Sequence, residues 1–274
     1  VYKRQHRFGV QQRLYLAEKG INTNILLMSA TPIPRTLALA QYGEIEQVIL
    51  KEKPAFQKPI ITKVSNIDKI KDIEILLKKK ISNVSQVYWI CPLVEASETQ
   101  KYKDVETRFK SLKNIFGSEV EMLHGKIKSD QKERIIQNFQ KGNIKILVAT
   151  TVVEVGIDNK NADYIVIENA EKFGLSQLHQ LRGRVGRGNN QGYCFALYGK
   201  DLPDNTINRL KIFKENLDGF KLSEKDLEIR GTGDILGYRQ SGDSLFKFVN
   251  VYHDQELIIA VSYTHLRAHE TSID

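Results

Sequence analysis

The chain is poor in cysteine. Cys91 and Cys194 are the only two in 274 residues, and each lies inside an apolar run, YWICPL and YCFALY, where a thiol acts as a small buried hydrophobe. Two such thiols do not make a disulfide framework, and outside residues 261–274, where His265 and His269 stand four apart, there is no CxxC or HxxxH spacing, so no metal centre is expected. A reducing, cytoplasmic setting is the expectation that follows. No apolar run approaches the roughly 20 residues a bilayer span requires, and the first residues lack the charged-then-apolar form of a signal peptide, so no membrane partner is expected. A GxxxxGK[ST] phosphate loop is also missing, which excludes a self-contained phosphate-loop nucleotidase within these residues. Internal repeats and low-complexity tracts are absent; Lys78-Lys79-Lys80 is short enough to be a solvated helix end.

What is present is a globular composition with a basic excess. Hydrophobic residues make up 41% of the chain, its formal charge is +8 and its pI is near 9.2. A net positive charge speaks to association and not to fold, and it makes a polyanion, nucleic acid first, the expected partner. Both ends look foreign: Val261 to Asp274, VSYTHLRAHETSID, resembles translated adapter sequence, and VYKRQ at the start has the same character. Both stretches are therefore set aside from fold reasoning, and 261–274 is taken as a non-native tail. The basic excess does not depend on these ends, which hold Lys3, Arg4 and Arg267 against Glu270 and Asp274.

Strand-like runs recur as ILLMS (25–29), QVYWIC (86–91), VEMLH (120–124), KILVAT (145–150), DYIVIE (163–168) and YCFALY (193–198). Most are continuously apolar and rich in Val, Ile and aromatics, as strands covered on both faces are. Helical patterns separate several of them. Ser129 fits an N-cap for Asp130 to Gln140, with Ile135, Ile136 and Phe139 on one face and Lys141-Gly142 as the stop. The alternation predicts an α/β fold with a parallel sheet, in which ligands bind at the carboxyl ends of strands.

Residues 52–59, EKPAFQKP, concentrate Lys and Pro without apolar periodicity and read as a linker. Residues 1–51 hold a helix at about 8–19, one strand and a helix after Pro34, too little to close a sheet. Residues 60–203 have five strand candidates, enough for a complete doubly wound domain. Residues 204–250 read as a helical hairpin and loop: Thr206 to Asn216 forms one helix, and Ser223-Glu-Lys-Asp226 is a capping box opening a second that stops at Gly231.

Three places could carry chemistry. In QLRGRVGRG, 180–188, Arg184 and Arg187 stand three apart among glycines that would let the backbone approach a ligand. Such arginines grip terminal phosphates and stabilise charge in phosphoryl transfer, worth roughly 10³ to 10⁵ in rate; the plain alternative is a solvated basic turn. Ser29-Ala-Thr31-Pro-Ile-Pro-Arg35 leaves a strand with hydroxyls placed for a phosphate, or is an ordinary helix start. Thr150 and Thr151 leave the strand KILVAT and lead to Gly156 and Asp158; the hydroxyls could hold a nucleic-acid backbone and Asp158 could accept from a ribose, or the threonines simply cap a turn. His124-Gly125 and His179 are lone histidines, more often structural than ligating.

The order of these three matches a family. SATPIPRT, ATTVVEVGID and QLRGRVGR resemble motifs III, V and VI of superfamily 2 helicases. QHRFGVQQR, TPIPRTLALAQYGE, QVYWICPLVEASE, LHGKIKSDQKE, NAEKFGLSQLHQLRGRVGRG and DLEIRGTGDILGYRQSG are similar to RecG-like ATP-dependent DNA helicases over about residues 5–250. The resemblance implies the closing part of one RecA-like motor lobe (1–51), a complete RecA-like second lobe (60–203) and a translocation-coupling hairpin and loop (204–250). It also implies that Arg184 and Arg187 reach the γ-phosphate of ATP with Gln180 nearby. Gly156 and Asp158 would line the nucleotide cleft, and Ser29, Thr31, Arg35, His124, Gly125, Thr150 and Thr151 would face or couple to DNA. Arg230, Gly231, Arg239 and Gln240 would convert lobe closure into movement along duplex DNA.

The pattern breaks where the family's acidic motif II precedes QH: Lys3 and Arg4 stand there. The resemblance therefore implies ATP and Mg²⁺ as cofactors of an intact parent whose Mg²⁺ ligands and phosphate loop are not in this chain, and whose missing N-terminal half is its partner. The expected activity is remodelling of branched DNA, replication forks or Holliday junctions, by a monomer; the chain alone is expected not to hydrolyse ATP. A transcription-repair coupling translocase shares the motor and hairpin, and a non-catalytic DNA-binding module is the alternative of another class.

Overall fold

The computed structural model describes residues 2–3, 27–28, 48–50, 57–81, 85–92, 103–150 and 159–230. Leu27–Met28, within the expected strand ILLMS, pairs in parallel with Tyr2–Lys3. The expected helices at about 8–19 and after Pro34, and the loop after residue 230, lie outside the described residues.

The body is a six-stranded parallel sheet. Its elements in chain order are β1 (Ile61–Asn66), α1 (Ile70–Lys80), β2 (Gln86–Ile90), α2 (Lys103–Phe116), β3 (Val120–Leu123), α3 (Ser129–Gln140), β4 (Ile146–Ala149), β5 (Ala162–Ile167), α4 (Leu175–Arg182), β6 (Tyr193–Tyr198), α5 (Asp204–Glu215) and α6 (Gly219–Arg230). The strands lie side by side as β1-β6-β5-β2-β4-β3, and every pairing is parallel.

The apolar runs follow from this layering. Tyr88 and Ile90 enter one core with Phe139, Ile165, Leu178 and Phe213, while Val87 and Trp89 of the same strand enter another with Leu77, Leu112 and Val166. A strand covered on both faces has no polar side, so its sequence does not alternate. Each fully buried large side chain contributes about 1.5–3 kcal/mol relative to exposure, and β2, β4 and β5 are buried throughout.

Four local expectations are corrected. The sheet has a further strand, β1, which as an edge strand leaves Ile61 43% exposed beside a buried Thr62 and so carries no continuous apolar run. Helix α3 starts at Ser129 itself, with Lys128 as N-cap and no side-chain cap bond; its stop is as expected, with Gly142 at φ +83. Helix α5 begins at Asp204, directly after Pro203, two residues before the expected Thr206. Ser223 and Asp226 do not open a helix. They are buried inside α6, which starts one turn earlier, where Asp218 Oδ1 accepts the Phe220 N–H at 2.8 Å. Asp and Ser cap about equally well, so position decides: Asp218 lies ahead of the free N–H groups of the first turn, whereas Ser223 lies inside the helix. No helix among the described residues is long and apolar enough to cross a membrane.

Candidate functional site

Helix α4 decides where the arginine loop lies. It follows the carboxyl end of β5 and buries Leu175, Leu178 and Leu181 against the sheet, so it runs back along the strand and ends near the strand's start. There the Gly186 N–H donates to the Ala162 carbonyl at 3.1 Å, at the first residue of β5. Arg184 and Arg187 thus stand at the amino edge of the sheet, not at the carboxyl edge that the general rule for doubly wound sheets had led us to expect. Arg187 is half-buried and donates its Nε to the Gly183 carbonyl at 2.9 Å, which ties the guanidinium to the end of α4. Arg184 and Gln180 are also half-buried.

The loop's glycines serve the protein's own packing. Gly186 is left-handed at φ +67, and a Cβ there would stand 3.1 Å from the Gly192 Cα; at Gly188 it would stand 2.6 Å from the Lys160 carbonyl oxygen. Gly183, by contrast, has ordinary helical geometry and room for a side chain. Two of the three glycines therefore let the loop press onto neighbouring backbone, which corrects the expectation that they open a path to a ligand.

A third arginine of the same run, which the sequence reading passed over, turns inward. Arg182 is 2% exposed. Its Nη1 donates to the Phe213 carbonyl and its Nη2 to the Asn216 carbonyl, each at 2.9 Å, with His179 Nδ1 at 3.1 Å from Nη2. The guanidinium carbon lies 4.6 Å from the centre of the Phe213 ring. Phe213 and Asn216 flank the end of α5, whose last carbonyls have no partner within the helix and carry the negative end of its dipole. Burial holds Arg182 below the usual arginine range, while the neighbouring Cys194 acts in the other direction. Cys194 is itself pushed up to about 12 by burial, so it is an inert thiol.

Other expected residues lie at the opposite edge. Thr150 follows the last residue of β4 and is fully buried, and its hydroxyl has no hydrogen-bond partner among the described residues. His124-Gly125 follow β3; the Lys126 N–H donates to His124 Nδ1 at 3.3 Å, and Lys132 Nζ donates to the Gly125 carbonyl at 3.0 Å. Partial burial lowers the His124 pKa, with Glu106 opposing and Lys132 and Lys126 assisting. At this edge Glu168, the residue that follows β5, is buried beside Trp89 of β2. It takes the Trp89 indole N–H and a two-point contact from Arg108, at 2.6 Å from Nε and 3.2 Å from Nη2. Arg108 also reaches Glu74 at 3.3 Å.

The chain must cross from one edge to the other between Thr150 and Asn159, because β4 and β5 are parallel in one sheet. A buried amide cluster that no sequence signal disclosed holds the far end of this crossing. Gln86 donates to the Phe139 and Ile144 carbonyls and accepts from Asn159 Nδ2 at 3.0 Å, while Asn159 Oδ1 accepts the Asn161 N–H at 2.9 Å. Asn159 directly follows Asp158 in the chain. Thr151, Gly156, Asp158, Ser29, Thr31, Arg35, Gly231, Arg239 and Gln240 lie outside the described residues, and Arg230 is the last residue of α6.

Two guanidinium groups at one edge suit an anionic phosphate and repel a cation. Among the described residues, no group of three or more His, Cys, Asp or Glu is placed to hold a metal ion. Residues 66–189 match the family described as Helicase conserved C-terminal domain. The chain is 47% identical to the ATP-dependent DNA helicase RecG of Borreliella burgdorferi over 261 residues, and 44% identical to that of Staphylococcus aureus over 256. Those alignments cover 94% and 93% of the chain. A solved structure of RecG bound to a three-way DNA junction matches 85% of the chain and 30% of its own, at 38% identity and a TM-score of 0.69. Over nearly its whole length this chain matches a portion of RecG-like superfamily 2 helicases. It spans 38% and 37% of the lengths of the two RecG relatives. The structure brings Arg184 and Arg187 of QLRGRVGRG to one edge of the sheet while it sets His124 and Thr150 at the other.

Proposed function

We propose that residues 60–203 are the second motor lobe, and 204–250 the coupling hairpin and loop, of an ATP-dependent helicase that remodels branched duplex DNA. Residues 1–51 then close the first lobe, 52–59 connect the two, and 261–274 are non-native. The carrying observation is the arginine loop at the amino edge, held by α4 on a sheet whose carboxyl edge bears His124 and Thr150. ATP binds between lobes against Arg184 and Arg187, with Gln180, Gly156 and Asp158 beside it; these groups orient the terminal phosphate and neutralise its developing charge. DNA is gripped at the opposite edge, so the crossing 151–158 joins the two sites. That a RecG has been solved on a three-way junction supports branched DNA as the substrate.

The 274-residue chain by itself is inert toward ATP, because it carries no phosphate loop and has Lys3 and Arg4 where acidic magnesium ligands would stand. The parent works as a monomer in the cytoplasm and draws its Mg²⁺ ligands from residues outside this chain. The decisive experiment is Arg187→Ala in the full-length helicase, read by DNA-stimulated phosphate release and by duplex affinity at fixed salt. Turnover should fall roughly 10³-fold or more, with affinity for branched DNA within about threefold of the parent. Unchanged turnover refutes the motor reading and leaves a basic DNA-binding module. Phosphate release above a blank from the 274-residue chain refutes its inertness.

A further inference from the structure

The arginine loop is fastened to the segment that precedes the lobe. Gln191 donates its Nε2 to the Pro59 carbonyl at 2.6 Å and to the Gly192 carbonyl at 3.2 Å. One residue on, the Ile61 N–H donates to the Gly192 carbonyl at 2.9 Å. Between these bonds, Ile60 Cγ1 stands 3.5 Å from where a Cβ of Gly186 would be and 3.3 Å from where one of Gly192 would be. It is thus seated on the two glycines whose backbones touch. Gly186 lies between Arg184 and Arg187, and Pro59 ends the Lys/Pro-rich stretch 52–59.

We propose that Gln191 and Ile60 form a latch between connector and arginine loop, so that the position of the connector sets the reach of Arg184 and Arg187 toward the nucleotide. Both are positioning residues: neither touches a reacting atom, and each acts through Gly186. The latch rests on the reading of 52–59 as the link between motor lobes and of the two arginines as phosphate-facing. The physical case is that a backbone segment with no side chains at Gly186 and Gly192 has little stiffness of its own. Its shape is set by what presses on it: the Ala162 carbonyl bond and the Lys160 backbone on the lobe's side, and the Ile60 side chain and the Gln191 bond on the connector's side. Because a displacement of about 1 Å at a catalytic group costs roughly 10²-fold in rate, a connector that shifts the loop by less than a bond length would gate turnover.

The test has two arms. In the 274-residue chain, hydrogen exchange is followed at the Gly186 N–H, which is bonded to Ala162, with the Ile90 and Val166 amides of the sheet as controls. Gln191→Ala and Ile60→Ala should each speed Gly186 exchange by about tenfold while the controls stay protected, and Gln191→Lys, which keeps a donor for Pro59, should restore it. In the full-length helicase, Gln191→Ala should lower kcat for ATP by roughly ten- to a hundredfold with KM for ATP and affinity for branched DNA unchanged, again rescued by Gln191→Lys. Unchanged Gly186 exchange in both alanine variants overturns the latch, and so does kcat within twofold of the parent. If Ile60→Ala fails to fold, the half-exposed Gln191 still decides the matter. A parent helicase that does not hydrolyse ATP on branched DNA refutes the proposed function instead, and the exchange arm then rules on the latch alone.

Discussion

Replacing Arg182 should loosen the joint between α4 and the end of α5, because one buried guanidinium satisfies two helix-end carbonyls there. Each bond from a charged donor carries about 1.5–3 kcal/mol, and a buried carbonyl left without a donor loses about 1–3 kcal/mol. Stacking on Phe213 adds about 0.5–2 kcal/mol. Against this stands the hydration that the guanidinium gives up, visible in its lowered pKa. The net loss for Arg182→Ala is therefore about 3 kcal/mol. Arg182→Met keeps most of the stem and removes only the donors, so it should lose at least about 2 kcal/mol; Arg182→Lys, a point donor that cannot span both carbonyls, should fall between it and the parent. Urea unfolding of the 274-residue chain measures this, with Trp89 as the probe: it is the only tryptophan and is fully buried in the core on the other face of the sheet. The midpoint should shift at constant slope, and Tm should fall by roughly 6–12 °C for Arg182→Ala. A methionine variant as stable as the parent would refute the reasoning, since it would show that packing, not the two carbonyl bonds, is what Arg182 supplies.

The glycines of the arginine loop should separate by mechanism. Gly188→Ala must move the Lys160 carbonyl and Gly186→Ala must hold a left-handed φ against Gly192, so each should lose about 1–3 kcal/mol; Gly183→Ala should be neutral or slightly stabilising. Equal effects at the three positions, read by the same urea titrations, would contradict the packing account. The pH dependence of Tm should carry a contribution from His124. Its folded-state pKa lies below its ordinary 6.5 because burial disfavours the charged ring, so the unfolded chain binds more protons in the window between the two values. Stability from this group is then full above about pH 6.5 and is lost as pH falls through the folded value. His124→Gln should flatten the slope of Tm between about pH 5 and 7; an unchanged slope would remove His124 as its source.

Much of the lobe is legible without coordinates. YCFALY, 193–198, is β6 residue for residue, and the runs at 86–91, 120–124, 145–150 and 163–168 are β2 to β5 within a residue at either end. They could be read because strands buried on both faces must be apolar at every position, a local property. β1 could not, since an edge strand alternates only weakly, and its pairing with β6 is a long-range fact. The start of α6 was misread for a related reason. Ser223 and Asp226 have the spacing of a capping box, but spacing does not reveal that Asp218 already caps the chain one turn earlier and that both residues are buried. Gln86 and Asn159 left no trace, because their partners, the Phe139 and Ile144 carbonyls and each other, lie far along the chain.

The motif arginines show the division most clearly. The amino-acid sequence by itself determined that Arg182, Arg184 and Arg187 sit together in a glycine-punctuated run and that this run resembles one of RecG-like helicases, since such a resemblance is a matter of residue order. Only the tertiary structure decided that Arg182 turns inward to hold α5 while Arg184 and Arg187 stand at the amino edge of β5, opposite His124 and Thr150. The reason is geometric. A helix that packs three leucines on a parallel sheet must run back along it, and which edge it reaches, and what waits there, depends on residues far away in the chain.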